Sequence, residues 1–144
     1  YSRTKKEDAK EIGIKYVSLK KLFEESDIIT IHVPHTSETE GMINTELIES
    51  MRDSAILINT ARGPIVDSKA LAEALNKEKI AGAGIDVFEM EPPIPEEHPL
   101  LNAKNTVLTP HVAFATPEAF NKRAEIVFAN IKAWEENDPI NVVS

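Results

Sequence analysis

The sequence has no cysteine, which excludes a disulfide framework and any thiolate metal site. It has no excess of positive charge. A formal net charge of −8 disfavours a grip on nucleic acid or an anionic membrane through the global field. No apolar run approaches the length needed to cross a membrane. There is no internal repeat and no low-complexity segment. A cytoplasmic protein is the expectation. There is also no G-x-G-x-x-G, the loop that brings backbone amides to a pyrophosphate. Gly82-Ala83-Gly84 stands at the start of an expected strand, not at a strand-to-helix turn, and is no substitute.

What is present suits one domain. The 144 residues include 42% hydrophobic side chains, enough for a core. Short apolar runs alternate with amphipathic stretches. Lys5–Ile12 is charged and helix-prone, with Gly13 to end it. Lys15–Val17 reads as a very short strand. Ser18 can cap a helix carrying Leu19, Leu22 and Phe23. A strand is predicted over Ile28–Val33, stopped by Pro34. Asn44 can cap a second helix with Leu47, Ile48 and Met51. "AILINT" at 55–60 is the next strand, and Asp67 can cap a third helix with Leu71, Ala74 and Leu75. "AGAGIDVF" and "NTVLTP" supply two more strands around a proline-rich loop. Thr116 and Pro117 then open a long helix to about Asn137, with an apolar stripe of Phe120, Ala124, Val127, Phe128, Ile131 and Trp134. Strands that are apolar throughout belong to parallel sheets. The pattern predicts a doubly wound α/β sheet with helices on both faces.

In such sheets ligands sit outside the carboxyl ends of the strands. There stand His32, Val33 and Pro34 after one strand, and Thr60, Ala61, Arg62 and Gly63 after the next. Asp86, Glu89 and Glu91 follow the third, and Pro110 and His111 the fourth. An arginine, carboxylates and a histidine are the types that hold an anion, tune a base and move a proton. Each has a plainer reading. Arg62 alone could be a loop salt bridge, Asp86 a turn brace and Glu91 a solvated loop residue. His32 and His35 form an H-x-x-H pair, but Pro34 prevents helical spacing and zinc needs three or four ligands, so no metal is expected. His98, in the proline-rich loop, is expected to be exposed.

The stretches "HVPHTSETEGMIN", "LINTARGPIVD", "AGAGIDVFEMEP" and "NTVLTPHVAF" resemble, in this order, the D-isomer-specific 2-hydroxyacid dehydrogenases. The resemblance runs over nearly the whole chain. It implies a Rossmann-type fold and transfer of a hydride between a nicotinamide cofactor and a small 2-oxo or 2-hydroxy acid. It makes Arg62 the residue that binds the substrate carboxylate, His111 the acid/base and Glu91 the carboxylate paired with that histidine. It places Val33, Pro34, Thr39, Thr60, Ala61, Arg62 and Asp86 along the nicotinamide half, with His111, Val112 and Ala113 closing the pocket. Relatives often carry glycine where Ala113 stands. Ser2, Arg3 and Thr4 fall where the adenosine ribose is read. Cations and hydroxyls there suit a 2′-phosphate, so NADP is favoured slightly over NAD, in the manner of glyoxylate and hydroxypyruvate reductases. Alternatively, Arg3, Lys5 and Lys6 merely begin an exposed charged helix.

By the same resemblance, residues 1–137 are expected to be a partial dinucleotide-binding domain, with the first strand and glycine loop upstream of Tyr1. Residues 138–144 would begin the return to a substrate domain. Such a piece is expected to show little activity alone. Its uncovered sheet edge is expected to pair, most simply in a homodimer. No nucleic acid or membrane partner is expected. Formate dehydrogenases resemble the same pattern but carry glutamine where Glu91 stands; a phosphite-oxidising relative stays open. A non-enzymatic alternative is a dinucleotide sensor like the C-terminal-binding-protein corepressors.

Overall fold

The computed structural model describes residues 1–6, 9, 11–90 and 93–143. It divides into two compact units, Tyr1–Pro110 and His111–Ser144.

The first unit is a four-stranded parallel sheet in the order β1 (Ile28–Ile31), β2 (Ile56–Asn59), β3 (Gly82–Ile85) and β4 (Thr106–Leu108). Between the strands lie α2 (Thr45–Ser50) and α3 (Ser68–Asn76), and α1 (Leu19–Glu25) precedes β1. The helices start where short polar side chains can satisfy an orphan N–H. Ser18 Oγ accepts from the Lys21 N–H at 3.2 Å, Asn44 Oδ1 from Leu47 at 3.1 Å, and Asp67 Oδ1 from Ala70 at 3.0 Å. All three caps were expected at these positions.

Register decides the layering. Ile29, Leu57 and Ala83 share one face, as do Ile31, Asn59 and Ile85. All six are buried, and all but the polar Asn59 form one cluster with Phe23, Ile48, Leu71 and Leu75 from the three helices and Met51 just after α2. Burying each large apolar side chain stabilises the fold by about 1.5–3 kcal/mol. The opposite face carries Ile28, Ile56 and Val107, and all three are exposed. Both faces are apolar in sequence, and within this unit the helices cover one of them.

Two expectations near the N-terminus change. The described residues of Lys5–Ile12 form no α-helix; Glu7, Asp8 and Lys10 lie outside the described residues. Gly13, expected to end that helix, instead stands in a turn at φ +81°. Lys15–Val17 forms no strand and joins no ladder among the described residues. A strand exists only through its ladder partner, and these residues make none. Tyr16 instead accepts the Lys6 N–H on its hydroxyl at 3.1 Å.

The second unit consists of a short turn and α4 (Pro117–Glu135). Thr116 Oγ1 accepts from Ala119 at 3.1 Å, and Pro117 occupies the first turn, where no N–H is needed. Asn137, at φ +59°, closes the helix in the left-handed region. Phe120, Val127, Phe128, Ile131 and Trp134 are all exposed. Among the described residues no helix is long and apolar enough to cross a membrane.

Candidate functional site

Beyond the carboxyl ends of β1 and β2, backbone hydrogen bonds join two loops. The Gly41 N–H donates to the Pro64 carbonyl at 2.8 Å, Ile43 to Ile65 at 3.0 Å, and Asp67 to Ile43 at 2.9 Å. Gly41 does this at φ +60°, a conformation that suits glycine. The joined loops bound a cleft of about 670 Å³ lined by His32, Val33, Pro34, His35, Thr60, Ala61 and Arg62. Five of these were named from sequence as cofactor contacts.

Arg62 stands in an extended conformation, at φ −151°, just before a 3-10 helix at Gly63–Ile65. Its side chain is exposed, and Nη1 donates to the Ala61 carbonyl at 2.6 Å. Sequence reasoning missed what holds it. Asn59, the last residue of β2, is buried on the core face. Its Nδ2 donates to the Arg62 carbonyl, and its Oδ1 accepts from the Ala61 N–H, both at 3.0 Å. An amide at the end of an apolar strand is the available signal, since a buried amide needs partners on both its ends. Gly63 completes the turn. A Cβ there would overlap the Phe88 carbonyl group and the Glu89 nitrogen, so the loop after β3 rests directly on this glycine.

The remaining candidates are placed less uniformly. Thr39 donates to the Pro34 carbonyl at 2.6 Å and accepts from the Thr36 N–H at 2.8 Å, so its hydroxyl shapes the loop that carries Pro34. Ser2 lines a smaller cavity of about 300 Å³ that shares His32 and Val33 with the cleft. Arg3 Nη1 lies 3.2 Å from Glu38 Oε2, both side chains exposed, and Thr4 is exposed beside it. Asp86 is buried at the end of β3, outside the lining of the cleft. It accepts from the Thr109 hydroxyl, and its N–H donates to the Asn59 carbonyl at 3.0 Å. Glu91 lies outside the described residues. In the second unit His111 adopts φ +58°, a left-handed conformation uncommon for a residue with a Cβ. Its ring meets Phe114 edge-on at 6.3 Å, Phe114 meets Phe120 at 6.0 Å, and Arg123 lies 5.5 Å over the Phe114 ring. Phe114 is thus packed on the start of α4. Among the described residues no three His, Asp or Glu come together as a metal site.

One expectation is corrected. His98 is buried, at 8% exposure, not exposed. Its Nδ1 accepts from the Leu100 N–H at 3.3 Å, capping a 3-10 helix at Pro99–Asn102, and its Nε2–H donates to Glu89 at 2.9 Å. The ring also meets Phe88 edge-on at 5.2 Å. Prolines made the segment look solvated, but the chain turns at Pro95, whose carbonyl accepts the His98 N–H at 3.0 Å. Burial works against the charge of Glu89, yet hydrogen bonds from Ser68, His98 and its own backbone outweigh it. The carboxyl therefore titrates below its ordinary range.

Fold and cleft together define an α/β domain with a cleft at the carboxyl edge of a parallel sheet, the place where dinucleotide-binding domains take their ligand. The particular lineage is plain from residues 1–113, which match the model of the D-isomer specific 2-hydroxyacid dehydrogenase NAD binding domain; the chain belongs to that family. It is 49% identical over 146 residues to a glyoxylate reductase of Korarchaeum cryptofilum (strain OPF8), an alignment covering 100% of this chain and 44% of that protein. Among solved structures it resembles the D-lactate dehydrogenase of Aquifex aeolicus complexed with NAD and lactic acid. That match has a TM-score of 0.84 and 39% identity, over 96% of this chain and 46% of the other. An acyclic imino acid reductase (Bsp5) in complex with NADPH and D-Arg gives a TM-score of 0.82 at 34% identity, over 92% and 42%. The chain thus spans less than half the length of these relatives.

Proposed function

We propose that the chain supplies the cofactor side of an active site that transfers hydride between NAD(P) and a small 2-oxo or 2-hydroxy acid. The observation that carries this reading is Arg62. It borders a strand-end cleft with Val33, Pro34, Thr60 and Ala61, and Asn59 holds its backbone from within the core. The cleft volume of about 670 Å³ lies within the ordinary range for small-ligand sites. Its lining sets the small Thr60 and Ala61 beside Val33 and Pro34, leaving room for the nicotinamide half of the cofactor. When bound, that group supplies the hydride.

The chain's own residues then bind, polarise and protonate. The Arg62 fork pairs with the substrate carboxylate and draws charge toward the 2-oxo group. His111 gives its proton to the carbonyl oxygen in reduction and takes it back in oxidation. Glu91 is assigned, by the family resemblance alone, as the carboxylate that pairs with this histidine. Asp86 serves the carboxamide side. Ser2, Arg3 and Thr4 meet the adenosine ribose, and NADP is slightly preferred. The Arg3–Glu38 pair does not oppose this, because an exposed ion pair is weak and a phosphate can displace it. The substrate class is that of the glyoxylate and hydroxypyruvate reductases. We further infer that the whole protein is a homodimer, in view of the exposed apolar side chains of the sheet and of α4.

The test uses the protein at the full length of its relatives. Glyoxylate, hydroxypyruvate and pyruvate are assayed while NADPH and NADH are followed separately. Turnover of at least one 2-oxo acid is expected. Tight dinucleotide binding without any turnover would overturn the enzymatic reading in favour of a corepressor-like sensor.

A further inference from the structure

The pair formed by the buried His98 and the partly exposed Glu89 lies outside the cleft lining, and neither side chain has a part in the chemistry proposed above. Its position is nevertheless specific. Glu89 accepts from His98 Nε2 at 2.9 Å and is bonded by the hydroxyl of Ser68, a buried residue at the first position of α3. His98 Nδ1 is occupied by the Leu100 N–H, so Nε2 carries the hydrogen that Glu89 receives. Three segments are thereby tied together: the loop after β3, the start of α3, and the 3-10 helix at Pro99–Asn102. The tied loop presses its Phe88–Glu89 peptide onto Gly63, with no room for a Cβ between them. Gly63 follows Arg62, whose carbonyl is held from the other side by Asn59. The Arg62 turn is clamped between a core amide and this loop.

We propose that Glu89 and His98, with Ser68, act as positioning residues that set Arg62 for the substrate carboxylate by holding the loop after β3 against Gly63. This rests on the assignment of Arg62 as the carboxylate-binding residue. None of the three side chains lines the cleft. A purely structural role would lower thermal stability without singling out one ligand. A positioning role weakens the 2-oxo acid and leaves the dinucleotide alone.

The experiment compares His98→Asn, Glu89→Ala and Glu89→Gln in the full-length protein, with Arg62→Ala alongside and glyoxylate as the substrate. Asparagine keeps the helix cap but cannot reach Glu89. Glutamine keeps an acceptor for His98 and a donor for Ser68. For His98→Asn and Glu89→Ala, kcat/KM for glyoxylate is expected to fall about tenfold, a modest cost for a misplaced orienting group. The KM for the dinucleotide stays within about twofold, and Glu89→Gln restores most of the loss. The double variant should be no worse than the worse single one, since both break the same tie. The proposal is overturned if these variants lose only thermal stability, if both ligands weaken together, or if the two losses simply add. Should Arg62→Ala itself leave the KM for glyoxylate unchanged, the functional reading fails. Should only Arg62→Ala raise it, the positioning role alone fails.

Discussion

Arg62 was legible from sequence because an apolar strand has no structural use for a guanidinium at its end. Asn59 was not, because one amide in "AILINT" looks like an ordinary strand residue until burial shows that both its ends are used. Replacing Asn59 by leucine leaves the Ala61 N–H and the Arg62 carbonyl unpaired at the edge of the core. The expected cost is about 1–3 kcal/mol, read by urea denaturation, with weaker binding of the 2-oxo acid. Gly63→Ala should be worse than a typical surface change. Its Cβ meets backbone that cannot rotate away, so a loss of about 1–3 kcal/mol or more is expected in the same measurement. His111→Ala in the full-length protein should cut turnover by about a hundredfold or more, as loss of a general acid does. His98 shows how a local signal misleads: three prolines at 92, 93 and 95 suggest a solvated loop, and only tertiary packing reveals a buried cap.

At the level of elements the caps carried the prediction. Ser18, Asn44, Asp67 and Thr116 each start a helix at the expected residue, because a side-chain acceptor close to an orphan N–H is a local requirement visible in sequence. Asp67→Ala should destabilise the protein by about 1 kcal/mol in denaturant titration, through α3. What stayed hidden needed partners. Lys15–Val17 has strand composition but no ladder among the described residues, and composition cannot supply one. The Glu89–His98 tie also has a pH signature. The Glu89 carboxyl is lowered on folding, so its stabilisation is complete above the ordinary glutamate range and is lost as pH falls through the lowered value. Wild type should therefore exceed Glu89→Ala in Tm by a full margin at neutral pH. That margin should shrink below about pH 4.3, the ordinary glutamate value. A margin independent of pH would show that the charge of Glu89 contributes nothing.

For the whole molecule, continuous apolar strands gave the parallel α/β class, and the strand order follows from sequential crossover connections. Sequence could not say which apolar face the helices of the first unit cover. Ile28, Ile56 and Val107 remain exposed on the sheet, and Phe128 and Trp134 on α4, each 72% exposed. Light scattering on the full-length protein should report a dimer; a monomer at micromolar concentration would contradict the proposed assembly. The central claim, that Arg62 receives the carboxylate of a 2-oxo acid, is tested most directly by the steady-state kinetics of Arg62→Lys in that protein with glyoxylate and NADPH. An ammonium keeps the charge but cannot form the bidentate pair. The KM for glyoxylate should rise by about tenfold, the worth of one good charge-assisted hydrogen bond, while that for NADPH stays within twofold. Wild-type kinetics toward glyoxylate, or an equal loss toward both ligands, would contradict the assignment.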